Sequence, residues 1–468
     1  MKILISAAEA SSDTHGAELL KALKQEYHRT EKTEGMGGPG SPNEPDKPGK
    51  PGKPGKIDAF GIGGPKLQAA GLRAVVDARE LLVMGFVEVV SHLPKILRAL
   101  NRITLEAKEQ SPDVAVVIDY PEFHFRLARK LKKLGIPVVY YIPPKVWVWR
   151  KGRVKVLKEL FQKILCILPF EESFYKEFNI SAKYVGNPLV DELPLHLTQA
   201  EARKGLQLEE ADRVLLLMIG SRESEWKHHL ELFLDAASLT SLKLRNLGQL
   251  GTDESLKILM PFPMTAPMER LKEKVARWKD PRNQQMNICL SQGNAPECMV
   301  AADAGLVKSG TSTLEAGLLQ CPHVIAFKPG LTTTWIYKNL IRYKGPVGLV
   351  NLVAGWSEGQ PYLVPELLCE NATVELMAAE LLSLISPTEK HQKMIQGFEQ
   401  LRTQVQGGPQ GDAQIGNQLE THPEFQPETQ KGTMSPSLNA AREILGLVES
   451  LRHSNTNTNT NTNANAKS

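Results

Sequence analysis

Apolar residues along the chain gather in short continuous runs, separated by polar turns and by amphipathic stretches of helical period. Residues 2–7, 114–118, 136–142, 164–168 and 183–185 have the length and composition of buried strands. The same holds for residues 213–219, 257–261, 287–290, 304–307 and 323–327. Helices are predicted over about 15–27, from Pro65 onward, after Thr313 with Leu314, Leu318 and Leu319 on one face, and over 438–451. Fully apolar strands alternating with helices predict α/β architecture, with parallel sheets covered on both faces. A polar stretch at 193–205 separates two such sets, which places one domain at 1–195 and a second at 196–403.

Three segments fall outside the pattern. Residues 31–56, with repeated Pro-Gly-Lys, predict a flexible insertion, and 404–437 a flexible linker ahead of a helix at 438–452. Residues 453–468 are an Asn-Thr repeat and predict a disordered tail. Residues 81–100 are apolar-rich, with Gly85 and Pro94 breaking any single helix, and suit either a core or an interfacial, acyl-chain surface. No apolar run reaches the length of a membrane span, and Ile3 to Ile5 is too short for a signal peptide.

Charge changes the picture locally. The chain of 468 residues carries 56 basic and 52 acidic side chains, a net +4 that does not argue for nucleic acid. Between Arg126 and Lys163, however, twelve Lys/Arg face one acid, Glu159. Such an excess suits a solvated helix face, an anionic membrane surface or a phosphorylated substrate. Cys166, Cys289, Cys298, Cys321 and Cys369 are scattered without ligand spacing, against zinc and against a disulfide framework.

Candidate chemistry sits in the turns after strands. Lys308-Ser309-Gly310-Thr311-Ser312-Thr313 joins an apolar run to a helix carrying Glu315 in its first turn. A turn of small hydroxylated residues lets backbone N–H groups and a helix N-terminus close on a phosphate, although Ser/Thr before a helix is also ordinary capping. Gly220-Ser221-Arg222-Glu223-Ser224-Glu225 repeats the arrangement with a guanidinium suited to phosphate. Asp119 follows the wholly apolar 114–118 run and is either a functional carboxylate at a strand end or a cap. Gly61-x-Gly63 is half a dinucleotide fingerprint, broken by Lys66 where the third glycine belongs, and this weakens a nicotinamide dehydrogenase reading.

Taken in order, Glu9-Ala-Ser-Ser-Asp13, Gly61-Ile-Gly-Gly-Pro65, Val83-Met-Gly-Phe-Val-Glu88 and Ile118-Asp-Tyr-Pro-Glu-Phe123 resemble the lipid-A-disaccharide synthases. Val146-Trp-Val-Trp-Arg150, Leu168-Pro-Phe-Glu171, Gly220-Ser-Arg222, Ser309-Gly-Thr311 with Leu314-Glu315, and Asn351-Leu-Val-Ala-Gly355 extend the resemblance to about residue 400. It implies a GT-B glycosyltransferase, two doubly wound Rossmann-like domains facing a central cleft, with no metal or other cofactor. The implied reaction joins UDP-2,3-diacylglucosamine to 2,3-diacylglucosamine 1-phosphate with inversion, giving the β-1,6-linked disaccharide 1-phosphate of lipid A biosynthesis and UDP. Asp119 would be the general base. Gly220, Ser221, Arg222, Glu225, Ser309, Gly310, Thr311, Glu315 and Asn351 would bind the donor. Glu9, Ser11, Ser12, Asp13, Met84, Gly85, Phe86, Glu88 and Asn187 would face the acceptor and lipid. Expected partners are the two acylated sugars, a membrane surface at the cytoplasmic face of the inner membrane, and a homodimer as one option; nucleic acid is not expected. The pattern departs from the family's usual residues at Ser12, Pro143, Lys145 and Asn187, where a side chain at Ser12 is expected to narrow the acceptor loop. Competing readings are a sibling enzyme with a polyprenyl-linked acceptor, a 2-epimerase, and a non-catalytic nucleotide-sugar-binding membrane protein.

Overall fold

A computed structural model describes residues 1–34, 56–81, 86–149, 152–251, 253–280, 282, 284, 286–328, 345–356, 359–405 and 435–465. The chain forms two compact units, Met1–Asp191 with residues 406–468, and Glu192–Val405.

The first unit is a seven-stranded parallel sheet in the order β3-β2-β1-β4-β5-β6-β7. Its strands are β1 (Lys2–Ala7), β2 (Asp58–Gly63), β3 (Arg73–Asp77), β4 (Val114–Ile118), β5 (Val138–Tyr141), β6 (Lys163–Cys166) and β7 (Ala182–Tyr184). Every residue of β4 is buried, as a central parallel strand requires. The chain reverses its direction of travel across the sheet between β1 and β4. That is the switch point at which such sheets place functional loops beyond their carboxyl ends.

Gly61 and Gly64 hold the sheet and its first crossover together rather than a dinucleotide. Gly61 has φ +151°, and a Cβ there would fall 1.9 Å from the Ile5 carbonyl oxygen on β1. Pairing of β2 with β3 shifts register immediately after it.

The C-terminal helix, Pro436–Asn465, belongs to the first unit. Ala440, Ala441, Ile444, Leu445 and Val448 pack with Leu19, Leu20 and Leu23 of the helix Ala10–Glu34. Arg442 reaches Glu26 at 2.8 Å and Arg452 reaches Asp113 at 2.9 Å, while Lys163 pairs with Glu443. The tail expected to be disordered from 453 is instead helical to Asn465, continuing a helix whose earlier turns are packed against the first unit. Residues 35–55 and 406–434, most of the two expected flexible segments, lie outside the described residues.

Pro94 does not end a helix as expected: one helix runs Phe86–Gln110 through it. Burial of Ala99, Leu100, Ile103 and Ala107 on the far side outweighs the roughly 3 kcal/mol that an interior proline costs.

The second unit is a six-stranded parallel sheet, β10-β9-β8-β11-β12-β13. Its strands are β8 (Val214–Met218), β9 (Leu256–Phe262), β10 (Met286–Gln292), β11 (Ala304–Lys308), β12 (His323–Phe327) and β13 (Glu366–Leu368). Its switch point lies between β8 and β11, above which the two polar turns of the sequence emerge. No helix among the described residues is long and apolar enough to cross a membrane.

Candidate active site

The second unit carries a cavity of about 420 Å³ beyond the carboxyl ends of β8, β9 and β11. β8 leads into Gly220-Ser221-Arg222 and then the helix Glu223–Asn246. Gly220 has φ +110°, and a Cβ on it would sit 2.2 Å from Glu225 Oε2, so the turn accepts only glycine. The buried Trp226 indole N–H donates to the Gly220 carbonyl at 3.0 Å and pins the turn from beneath. Glu225 accepts from the Arg222 backbone N–H at 3.2 Å, which leaves the Arg222 side chain exposed at the cavity rim.

β11 delivers Lys308, Ser309, Gly310 and Thr311, followed by the helix Ser312–Leu318 with Glu315 in its first turn. The Lys308 ammonium sits 2.7 Å from Glu225 Oε1 and 5.6 Å from the centre of the Phe327 ring. Burial by itself would raise the Glu225 carboxyl; the Lys308 ammonium overrides it and holds the group below the usual carboxylate range. Pro261, Phe262 and Pro263 from the end of β9, with Gly293, Ala295 and Pro296, complete an apolar wall. Two cations, turn amides and a flat apolar wall around one cavity suit a planar ring joined to a diphosphate.

Gly220, Ser221, Arg222, Glu225, Ser309, Gly310, Thr311 and Glu315 therefore converge. Asn351 does not join them. It is buried, its amide nitrogen donates to the Val364 carbonyl and to Glu366 Oε1 at 2.8 Å, and its oxygen accepts from Val364 N–H at 2.9 Å. Glu366 in turn accepts from the Val347 and Gly348 N–H groups. Asn351 thus ties the helix Leu349–Val353 to the segment entering β13 instead of offering a free amide. Lys308, which the sequence offers only as the start of the turn, also lines this cavity; a lysine closing an otherwise apolar strand run was the available signal.

In the first unit, Asp119 follows β4 at the switch point. It has φ +53° and Tyr120 has φ +44°, two consecutive non-glycine residues in left-handed conformation. Pro121 then opens the helix Pro121–Lys133. Burial raises the Asp119 carboxyl above the ordinary aspartate range, against the Tyr120 backbone N–H and the positive charge of His15 and Lys145. A carboxylate so destabilised in its charged form is a better proton acceptor at neutral pH.

The β1 loop is more structural than expected. The Ser12 hydroxyl bridges the N–H and C=O of Glu9, both at 2.9 Å, and is buried, so it folds into the loop rather than narrowing it. Asp13 accepts from the N–H groups of Gly64 at 2.7 Å, Lys66 at 3.0 Å and Leu67 at 3.2 Å, capping the helix Pro65–Ala69. Glu9 and Ser11 are exposed. The buried Asn187 accepts from Leu189 N–H at 3.1 Å and donates to the Ile167 carbonyl at 3.4 Å. Met84 and Gly85, and the side chains of Phe86 and Glu88, lie outside the described residues. Among the described residues no three His, Cys, Asp or Glu side chains could hold a metal ion.

Glu171 is buried beside this loop cluster and receives the Trp147 indole N–H at 3.1 Å and the Leu168 N–H at 3.2 Å. Desolvation carries its carboxyl from 4.5 up to about 7, against these two hydrogen bonds. Because the folded value is raised, the folded state holds the proton more tightly than the unfolded chain. Its favourable contribution is complete below pH 4.5 and is lost as pH rises through about 7. Glu171→Gln should therefore flatten the fall in melting temperature between pH 5 and 8, whatever constant offset the lost Leu168 contact imposes. Parallel fall of both proteins would exclude this role.

The sequence profile of the family described as lipid-A-disaccharide synthetase matches residues 3–413. The lipid-A-disaccharide synthase of Myxococcus xanthus is 36% identical over 401 residues, covering 86% of this chain and 92% of the relative. That of Anaeromyxobacter dehalogenans is 35% identical over 418 residues, covering 89% and 96%. Haemophilus influenzae supplies a third at 32% over 408 residues, covering 86% and 93%. Among solved structures, UDP-GlcNAc 2-epimerase from Neisseria meningitidis, bound to UDP-GlcNAc, aligns with TM-score 0.52 at 12% identity, over 87% of this chain and 98% of that one. S. aureus MnaA with UDP aligns with TM-score 0.51 at 10% identity, over 85% and 91%. These two likenesses bear on the fold alone, which is the GT-B type built from two doubly wound units.

Proposed function

The chain belongs to the lipid-A-disaccharide synthetase family, and from that premise we propose how its residues divide the work. It is a glycosyltransferase that joins UDP-2,3-diacylglucosamine to 2,3-diacylglucosamine 1-phosphate, releasing UDP.

In this reading the donor diphosphate lies in the cavity between Gly220–Glu225 and Lys308–Glu315. The observation that carries it is the meeting of two strand-to-helix turns and two cations at the switch point of the second sheet. Asp119 takes the proton from the acceptor 6-hydroxyl. The oxygen attacks the anomeric carbon, and the bond to the β-phosphate oxygen breaks with its electron pair leaving on UDP. The proton later passes from Asp119 to solvent. Negative charge grows on the leaving diphosphate, and Arg222, Lys308 and the amides of Ser309, Gly310 and Thr311 stabilise it there. Glu315 receives the ribose hydroxyls. The exposed face of the helix Phe86–Gln110, with Leu97 at 44% and Leu105 at 59% exposure, and the basic 126–163 segment support docking on an anionic membrane at the cytoplasmic face.

UDP release from the donor, measured with and without the acceptor in detergent micelles containing EDTA, tests the reaction. The expected outcome is acceptor-dependent release with a disaccharide by mass spectrometry; release without acceptor, or loss of release in EDTA, counts against it. Lys308→Met should weaken UDP and raise the donor KM by about 10- to 100-fold, the worth of a hydrogen bond to a charged group, while the acceptor KM stays within about twofold. Calorimetric titration with UDP checks the first part and initial rates the second.

A further inference from the structure

Beneath Asp119 lies a buried polar chain that the reaction scheme above does not use. His124 Nδ1 lies 2.5 Å from the Asp119 carbonyl oxygen, and its Nε2 lies 2.8 Å from Ser6 Oγ. A carbonyl oxygen only accepts, so Nδ1 carries the hydrogen; Nε2 of the neutral ring is then an acceptor and the Ser6 hydroxyl donates to it. Burial holds the imidazole down at about 4, so it stays neutral and keeps this tautomer at physiological pH. The same Asp119 carbonyl receives the Tyr140 hydroxyl at 3.0 Å.

The elements bring these groups together by register. Ser6 lies opposite Val117 on β4, and Tyr140 opposite Val117 on β5, so both flank the end of β4. His124 stands one turn into the helix that Pro121 begins. Tyr120, Phe123 and Tyr140 box its ring, with centroids 5.6–6.4 Å away and planes 73–89° apart. Two donors thus converge on one carbonyl whose own residue has φ +53°. Left-handed backbone at a non-glycine residue costs on the order of 1–3 kcal/mol and persists only where its surroundings hold it.

We propose that His124 is a positioning residue: oriented by Ser6, it ties the Asp119 backbone into its left-handed conformation and so aims the carboxylate. The proposal rests on the reading of Asp119 as general base. Loss of the tether lets the Asp119–Tyr120 corner relax, and a misplacement of about 1 Å costs on the order of 10²-fold in rate.

Four variants test this: His124→Leu, which removes the donor; His124→Asn, whose amide nitrogen falls where Nδ1 was; Tyr140→Phe; and Asp119→Asn. For H124L, kcat should drop about 10²-fold at unchanged donor KM and UDP affinity. H124N should recover to within about fivefold of the parent even though Ser6 loses its acceptor. If H124L does not fold, H124N together with a kcat loss in Y140F at unchanged donor KM carries the same conclusion. Equal kcat losses in H124L and H124N, wild-type kcat in H124L, or unchanged kcat in Y140F with H124L unfolded overturns it. A fully active D119N would bring down the base assignment and this proposal with it. An inactive D119N beside a fully active H124L would bring down the positioning role alone.

Discussion

Asp119→Asn is expected to lower kcat by about 10²- to 10⁴-fold, the range that a positioned general base contributes, with UDP affinity within about twofold of the parent. Asparagine keeps the shape of the side chain and the backbone contacts of the corner, but it accepts no proton. The two quantities separate because the cavity proposed for the donor is built wholly from the second unit, whereas Asp119 follows β4 of the first. Desolvation raises the Asp119 carboxyl, so the acid limb of kcat/KM in the parent should lie above the ordinary aspartate range near 3.9. Below that limb the carboxyl is protonated and turnover falls; D119N should show no such limb. Matched loss of kcat and UDP binding would mean that the residue serves the fold or the donor instead.

Gly61→Ala is expected to have the largest effect on stability. Its Cβ would lie 1.9 Å from the Ile5 carbonyl oxygen and 2.9 Å from its carbon, backbone atoms of a central strand that cannot step aside. β1 and β2 would have to separate along the pairing from Lys2–Asp58 to Ser6–Ile62. Net stabilities run near 5–15 kcal/mol, so a loss of about 4 kcal/mol or more removes a large part of the stability of the first unit. Gly135→Ala separates strain from collision: Gly135 has φ +74° with nothing within 4 Å of its Cβ position, and should cost only about 1 kcal/mol. Urea unfolding of the three proteins reads the order, and G61A as stable as G135A would contradict the packing argument.

Central strands such as Val114–Ile118 were legible because burial on both faces leaves an unbroken apolar run, whereas β2, with glycines at 61 and 63, was not. The edge strands β3 and β13 were not. Arg73 and Asp77 bound the first, and the second is three half-buried residues beginning with Glu366. The two phosphate-suited turns could be read from composition, since small residues followed by a helix describe their own geometry. What each polar side chain does could not. Asp13 and Asn351 look like site residues in a line of sequence, yet both spend their polar atoms on backbone groups 13 to 54 positions away. Lys308 shows the reverse: its partner Glu225 is 83 residues distant, and only the adjacency of β8 and β11 puts them in one cavity. The helix through Pro94 likewise depended on tertiary burial that periodicity does not reveal.

The placement of the donor is the claim on which the rest depends, and hydrogen–deuterium exchange with and without saturating UDP tests it most directly. Slower exchange is predicted at the amides of Gly220–Glu225 and Ser309–Glu315, with Asp119–His124 unchanged. Protection centred instead on Glu9–Asp13 or on Asn351–Gly355, with none at the two turns, would contradict the account.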